Sequence, residues 1–221
     1  MTQYILFDCD GVLVDSEIIA AQVLLRLLKP FGYERSVKRF MQRYAGMKDH
    51  DILASISEGH QIVFPAHFSH QLEVAIDDSL GVELQAISGV QQALQGIGLP
   101  KAVVSNSQLE RVQNSLKVAQ VTYFFGDRIY TAEMAGKPKP DPQIYRYALE
   151  QLGLQPHEAL VVEDSLTGVT AAHEAGLKVI GFVGASHIME GHAEKLMACG
   201  ASATVEIMAD LPRVLEMFTD K

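Results

Sequence analysis

Short, continuous apolar segments that alternate with helical patterns constrain the fold of this chain more than any other feature. The segments lie at Tyr4–Phe7, 101–104, 159–162 and Lys178–Phe182, with a weaker one at 128–130. Unbroken apolar strands are typical of parallel sheets, which are covered on both faces. Helical patterns lie between and after the later segments, at 108–118, 142–152, 167–175 and 191–199. This alternation predicts an α/β fold with a doubly wound, mainly parallel sheet.

Residues 16–85 interrupt this alternation, because one helical pattern follows another there. Apolar residues recur at helical spacing at Ala20, Val23, Leu24, Leu27 and Leu28, and the pattern ends at Pro30 and Gly32. Three further helices are predicted near 36–44, 49–58 and 65–80. The simplest account is a helical domain, 16–85, inserted into an α/β domain made of 1–15 and 86–221.

The composition is that of a folded protein and excludes some classes of partner. Of the 221 residues, 48% are hydrophobic and 20% are charged, which is the ordinary globular range. The 18 Lys and Arg residues against 27 Asp and Glu residues give a formal net charge of −9. Because a nucleic-acid-binding face needs clustered basic residues and the sequence has no basic run, we expect no nucleic-acid partner.

The N-terminal segment does not have the pattern of a targeting signal. It lacks a basic region, and Asp8 and Asp10 follow its short apolar run. No apolar stretch approaches membrane-spanning length. The two cysteines, Cys9 and Cys199, form no disulfide framework and fit a reducing compartment. We therefore expect a cytoplasmic protein with no membrane partner.

Polar side chains follow three of the predicted strands. They are Asp8 and Asp10 after the first, Ser105 and Asn106 after the second, and Glu163 and Asp164 after a later one. Ligands of open α/β sheets bind at the carboxyl ends of strands, so we expect these side chains to lie close together. Gly11 would allow the sharp turn that Asp10 requires. Alone, the first pair would equally fit a solvated turn, and the later strand ends favour a site.

Four clustered carboxylates need a counter-charge, because they repel one another strongly. The loop 136–141 offers two lysines, Lys137 and Lys139, and their spacing alone does not distinguish them. A donor set of oxygen atoms without sulfur or imidazole selects a hard cation, and Mg²⁺ is the expected cofactor. A carboxylate in such a site can act as a nucleophile and form an aspartyl-phosphate.

Four segments together resemble the haloacid dehalogenase (HAD) superfamily, in its branch of sugar-phosphate phosphatases and β-phosphoglucomutases. They are DCDGVLVDS at 8–16, VVSNS at 103–107, GKPKPDP at 136–142 and VVEDS at 161–165. Each is weak alone, but the four occur in the family's order and span nearly the whole chain. The resemblance implies a Rossmann-like core, an inserted helical-bundle cap domain and Mg²⁺-dependent phosphoryl transfer.

The resemblance also implies roles for the acidic residues. Asp8 is the nucleophile and a metal ligand. Asp10 is the general acid and then the base that activates water, and its backbone carbonyl also binds the metal. Glu163 and Asp164 complete the metal site, and Asp164 is favoured as the direct ligand because many relatives have glycine in place of Glu163.

The remaining motif residues would bind the phosphoryl group. By the resemblance, Ser105 and Asn106 hold it, and Lys137 screens the charge between Asp8 and the phosphate. The family pattern favours Lys137 over Lys139, which is expected to face solvent.

The inserted helical domain is expected to choose the substrate. The loop 44–49 resembles the segment that relatives direct at the substrate, with Gly46 allowing close approach and Lys48 supplying a positive charge. Glu17, at the predicted start of the inserted domain, is another candidate. The loop 44–49 would equally fit a turn between helices with a solvated lysine. Glu17 would equally fit an acidic residue in the first turn of a helix.

The expected function is a Mg²⁺-dependent phosphatase, monomeric or weakly dimeric, that hydrolyses a sugar phosphate or phospho-sugar acid. A phosphosugar mutase is the first alternative, but the mutase branch has histidine where Ala20 stands and lysine where Gln108 stands. A non-enzymatic phosphate-binding regulatory module is the second, and the filled motif positions disfavour it.

Three other polar residues have structural interpretations. Ser165 either orients Asp164 or caps the following helix. His187 and His192 are expected to be surface residues or to make only local hydrogen bonds.

Overall fold

A parallel sheet forms the centre of the structure, a computed structural model that describes residues 1–44, 47 and 49–219. Within these residues the sheet has six strands in the order β3-β2-β1-β4-β5-β6, and every pairing is parallel. The strands are β1 Tyr4–Phe7, β2 Lys101–Ser105, β3 Ile129–Thr131, β4 Ala159–Glu163, β5 Lys178–Phe182 and β6 Ala203–Val205. The predicted α/β fold with a helical insert after β1 is confirmed.

Helices connect the strands and form the insert. Those of the insert are α1 Glu17–Leu28, α2 Val37–Tyr44, α3 Asp49–His60 and α4 Phe68–Glu83. Those that follow are α5 Val90–Gly96, α6 Leu109–Val118, α7 Thr122–Phe125, α8 Ala132–Ala135, α9 Gln143–Leu152, α10 Leu166–Glu174, α11 His192–Ala198 and α12 Leu211–Thr219. Among the described residues, none of the helices is long and apolar enough to cross a membrane.

The central strands form because their side chains are buried on both faces. Every residue of β2 and β4 is buried, including the charged ends Lys101 and Glu163. Phe7 of β1 packs edge-to-face on Phe125 of α7, with 5.9 Å between the ring centroids. Burial on both faces explains why these strands appear in the sequence as unbroken apolar runs rather than alternating patterns.

The strand order brings three strand ends to one edge. Phe7 at the end of β1 is in register with Val103 of β2 and with Val162 of β4. The order reverses between β1 and β4, where open α/β sheets leave a crevice for ligands. Asp8 leaves β1 directly beside this crevice.

The chain divides into two compact units, Met1–Asp15 with Gln85–Lys221 and Ser16–Leu84. Gln85, which we predicted to be the last residue of the insert, therefore lies in the unit that contains the sheet. In that unit the amide of Asp15 donates to the carbonyl of Gln85 at 2.9 Å, which ties together the two ends of the chain that flank the insert. In the helical unit, α1 packs on α4, and the rings of Phe64 and Phe68 stack at 4.7 Å.

Leu160 tests the contribution of the sheet core to stability, because its side chain is fully buried in β4. Leu160→Ala should lower the free energy of unfolding by about 2–5 kcal/mol through lost burial and an unfilled cavity. Ile207→Ala is the matched control, since Ile207 is 61% exposed, and it should change stability by less than about 0.5 kcal/mol. Urea denaturation followed by circular dichroism measures both, and equal losses would contradict the assignment of the core.

Candidate active site

A tight turn after β1 positions the first pair of acids. The amide of Asp8 still donates to the carbonyl of Val162 on β4 at 2.9 Å, so Asp8 is held at the end of the sheet. The chain then turns back, and the amide of Leu13 donates to the carbonyl of Cys9 at 2.9 Å. Asp10 lies in this turn, and its Oδ2 accepts a 2.7 Å hydrogen bond from Ser107 Oγ.

Gly11 is required in this turn for two reasons. Its φ of +78° lies in the left-handed region, where other residues are strained. A Cβ at this position would also lie 1.9 Å from Oδ2 of Asp164. The absence of a side chain therefore lets the carboxylate that follows β4 approach the backbone of the turn.

Three buried carboxylates meet beside this turn. Asp8, Glu163 and Asp164 each place one carboxylate oxygen within 4.8 Å of the others. Burial raises the pKa of Asp8 well above its usual value, and the charge of Glu163 raises it further. Burial and Glu163 raise the pKa of Asp164 in the same way. Burial and mutual repulsion therefore disfavour the ionised forms of Asp8 and Asp164, and added positive charge would favour them.

This donor set fits a divalent cation. Carboxylate oxygens are the ligands that Mg²⁺ prefers, and a bound cation would offset both the burial and the repulsion that raise the pKa values of Asp8 and Asp164. Asp8 and Asp164 are the carboxylates that would hold it, and the backbone carbonyl of Asp10 stays a predicted further ligand.

Lys139 is the cation that the chain itself supplies. Its Nζ lies 2.7 Å from Oδ1 of Asp8 and 2.8 Å from Oε2 of Glu163, and it donates to the carbonyl of Val104 at 2.8 Å. Burial alone would lower the pKa of Lys139, but Asp8 and Glu163 outweigh this effect, and the pKa is raised. Lys139 is therefore charged and bonded directly to the predicted nucleophile.

Asn106 holds the backbone of this lysine. Its Oδ1 accepts from the amide of Lys139 at 2.8 Å, and its Nδ2 donates to the carbonyl of Lys139 at 3.3 Å. Its neighbour Ser105 is buried, with an Oγ that accepts from the amide of Ser107 at 3.0 Å. Asn106, the first residue after β2, thus orders the loop that carries the lysine.

Glu163 is surrounded by donors on both oxygens. Oε2 accepts from Lys139 and, at 3.1 Å, from the hydroxyl of Tyr145, while Oε1 accepts from Ser165 Oγ at 2.7 Å. A Cβ on Gly168 would lie 2.1 Å from Cδ of Glu163, so the first turn of α10 is shaped to admit this side chain. These contacts assign Glu163 to holding Lys139 and favour Asp164 as the direct metal ligand.

The comparison with known proteins agrees with this site. A family model for haloacid dehalogenase-like hydrolases matches residues 5–182. The chain belongs to this family. The match spans β1 to β5 and so includes Asp8, Lys139 and Asp164.

Solved structures of similar proteins resemble this hydrolase over its full length. A conserved haloacid dehalogenase-like protein of unknown function from Agrobacterium tumefaciens is 39% identical, covers 100% of both chains and superposes with a TM-score of 0.93. A HAD family hydrolase from Deinococcus radiodurans, solved with bound phosphate and sodium, is 32% identical. The match covers 98% of this chain and 96% of that one, with a TM-score of 0.83. The 6-phosphogluconate phosphatase of Escherichia coli is 29% identical over 83% of each chain.

The prediction that Lys137, rather than Lys139, lies beside Asp8 is wrong. Lys137 is 65% exposed and pairs with Asp141 at 3.0 Å, whereas Lys139 is the lysine that reaches Asp8. Each lysine is followed by a proline, so the local sequence does not distinguish Lys137 from Lys139. What distinguishes them is the clamp by Asn106 on the backbone of Lys139, which is a long-range contact.

The structure places the candidate substrate residues of the insert and Ser165 as follows. Gly46 and Lys48 lie outside the described residues. Glu17 is the first residue of α1, in the helical unit. Ser165 caps α10, since its Oγ accepts from the amide of Gly168 at 3.0 Å, and the same Oγ donates to Glu163 rather than to Asp164.

Two histidines lie beside the acids, although we expected them to be surface residues or to make only local hydrogen bonds. Nε2 of His187 is 3.1 Å from Oδ2 of Asp164, and Nε2 of His192 donates to the carbonyl of Asp164 at 2.6 Å. Burial lowers the pKa of His192, which favours the neutral ring. Both follow β5, which is the neighbour of β4. The strand-end rule does not find them, because His187 and His192 lie five and ten residues beyond the end of β5.

Gly11→Ala tests the close approach of Asp164. Gly153→Ala is the matched control, because Gly153 also has a positive φ of 68° but no atom of the described residues lies within 4 Å of an added Cβ. We expect Gly153→Ala to lower the free energy of unfolding by about 1–2 kcal/mol through backbone strain. Gly11→Ala should cost about 1–3 kcal/mol more through overpacking. Denaturation of the two variants measures the difference, and equal losses would contradict the geometry.

Proposed function

We propose that this hydrolase is a Mg²⁺-dependent phosphatase that cleaves a small phosphorylated metabolite through an aspartyl-phosphate on Asp8. The observation that carries the proposal is the buried Asp8 carboxylate, 2.7 Å from Lys139 Nζ and clustered with Asp164. A nucleophile, a fixed cation and a set of metal ligands at one strand edge are the parts that phosphoryl transfer requires. Hydrolysis of phosphoric monoesters is also the reaction named for the Escherichia coli relative.

The first step transfers the phosphoryl group to the enzyme. A carboxylate oxygen of Asp8 forms a bond to phosphorus as the bond between phosphorus and the leaving oxygen breaks. The carboxyl group of Asp10 gives its proton to that oxygen, which departs as an alcohol. Ser107 holds Oδ2 of Asp10 and would fix the direction of this transfer.

The second step releases phosphate. Asp10, now a carboxylate, takes a proton from a water molecule whose oxygen attacks phosphorus, and the bond to Asp8 breaks. This regenerates the Asp8 carboxylate and the Asp10 carboxyl group. Lys139 stays charged throughout and offsets the negative charge that develops near Asp8. Bound Mg²⁺ would neutralise phosphoryl oxygens during both steps.

We propose sugar phosphates, and phospho-sugar acids in particular, as the substrate class. The proposal is supported by the Escherichia coli relative named for 6-phosphogluconate. We also propose that the helical unit, Ser16–Leu84, acts as a cap that selects the substrate. Gly46, Lys48 and Glu17 remain its candidate residues.

Hydrolysis is preferred to intramolecular transfer of the phosphoryl group. The mutase branch has histidine and lysine where this chain has Ala20 and Gln108. Alanine offers no group for proton transfer to a sugar hydroxyl. The chain therefore retains the parts needed for hydrolysis and lacks two associated with the mutase.

Asp8→Asn and Asp10→Asn separate the two chemical roles. Asp8→Asn should abolish Mg²⁺-dependent phosphate release, since an amide is a poor nucleophile. Asp10→Asn should reduce kcat by about 10²–10⁴-fold, the usual contribution of a general acid and base. Phosphate release from p-nitrophenyl phosphate, with circular dichroism to check folding, measures both. A near-normal rate for Asp8→Asn would exclude it as the nucleophile.

Lys139→Met and Lys137→Met test the assignment of the lysine. Methionine keeps the unbranched stem and removes the charge at each position. Lys139→Met should lower kcat by about 10²–10³-fold, as loss of a preorganised charge at the reacting group does. Lys137→Met should leave kcat unchanged because Lys137 is exposed and pairs with Asp141. The reverse order of effects would restore Lys137 to the site.

A substrate panel tests the reaction class. With Mg²⁺, 6-phosphogluconate and glucose 6-phosphate should release inorganic phosphate, with kcat/KM above that for p-nitrophenyl phosphate. Conversion of β-glucose 1-phosphate to glucose 6-phosphate would instead favour the mutase. No release from any of these or from acetyl phosphate would favour a phosphate-binding module.

A further inference from the structure

The loop after β5 carries a buried histidine that the proposed chemistry does not use. His187 is only 7% exposed, and its Nε2 lies 3.1 Å from Oδ2 of Asp164. Asp164 is itself 3% exposed and belongs to the carboxylate cluster. A carboxylate oxygen only accepts, so the ring donates from Nε2 when Asp164 is ionised.

The turn after β1 leaves space for both residues of this contact. A Cβ on Gly11 would lie 1.9 Å from Oδ2 of Asp164 and 2.9 Å from Cε1 of His187. The absence of a side chain at Gly11 therefore makes room for both members of the pair. A side chain of any kind at this position would displace the carboxylate, the ring or both.

The residue before His187 is anchored to the end of the first chain segment. The amide of Ser186 donates to Oδ1 of Asp15 at 3.3 Å, and its Oγ donates to the same oxygen at 2.8 Å. Asp15 in turn donates its amide to the carbonyl of Gln85. The histidine thus extends from a loop that is held at a second point, in the same unit as the site.

The torsion of a carboxylate about its last bond is broad, so an aspartate ligand needs a second contact to fix its orientation. Outer partners of metal ligands commonly perform this task. We infer that His187 is a positioning residue that fixes the Asp164 carboxylate for the divalent cation, and that Asp15 and Ser186 hold the loop that carries it. This inference rests on the Mg²⁺ site of the proposed function.

The test is titration of the chelator-treated, full-length protein with MgCl₂ by isothermal calorimetry. His187→Gln places an amide N–H near the position of Nε2, whereas the shorter side chain of His187→Asn does not reach Asp164. His157→Ala replaces an exposed histidine of the same unit and serves as the control. Circular dichroism in chelator establishes that each variant is folded before the titration.

We expect His187→Asn to weaken Mg²⁺ binding by about 10–100-fold, the usual effect of losing such an outer partner. His187→Gln should recover most of the affinity, and His157→Ala should match the unaltered protein. Equal affinity of the Asn and Gln variants would overturn the role of the hydrogen bond, whether both were strong or both weak. Absence of Mg²⁺ binding by the unaltered protein would instead overturn the metal site of the proposed function.

Discussion

The burial of three carboxylates against one lysine is the interaction on which the site depends. Asp8, Glu163 and Asp164 are each less than a tenth exposed, and Lys139 bonds to two of them. Burial, and then the charge of Glu163, raise the pKa values of Asp8 and Asp164, although Lys139 acts to lower both. Such a cluster opposes folding unless it is compensated, so the protein retains it for chemistry. A divalent cation is suited to offset this negative charge, and it would also offset the charge of a phosphoryl group.

The parallel sheet makes the cluster possible. Asp8, Ser105 and Glu163 are far apart in sequence, but the register of β1, β2 and β4 brings their strand ends to one edge. The backbone also adapts to the side chains that meet there. Gly11 and Gly168 lie where an added Cβ would meet Asp164 and Glu163. The motifs are therefore sets of residues whose sizes, as well as charges, fit one another.

Much of the fold could be predicted because β1, β2, β4 and β5 are largely buried on both faces, so that each contains a continuous apolar run. β6, Ala203–Val205, was missed because Ala-Thr-Val is short and only weakly apolar, whereas the equally short β3 contains Ile129 and Tyr130. Asp8 and Asp164 were found from the strand-end rule. Lys139 was not, because its position depends on the contacts of Asn106 across 33 residues. His187 was missed because a single histidine carries no spacing signal.

The most direct test of the account is to identify the residue that accepts the phosphoryl group. Asp10→Asn protein should accumulate the intermediate, because hydrolysis of the acyl phosphate needs the Asp10 carboxylate. After incubation with acetyl phosphate and Mg²⁺ and an acid quench, peptide mass spectrometry should find one added HPO₃ group on Asp8. Modification of a residue other than Asp8 would contradict the account. It would also be contradicted if the unaltered enzyme hydrolysed acetyl phosphate but Asp8 of the Asp10→Asn variant carried no phosphoryl group.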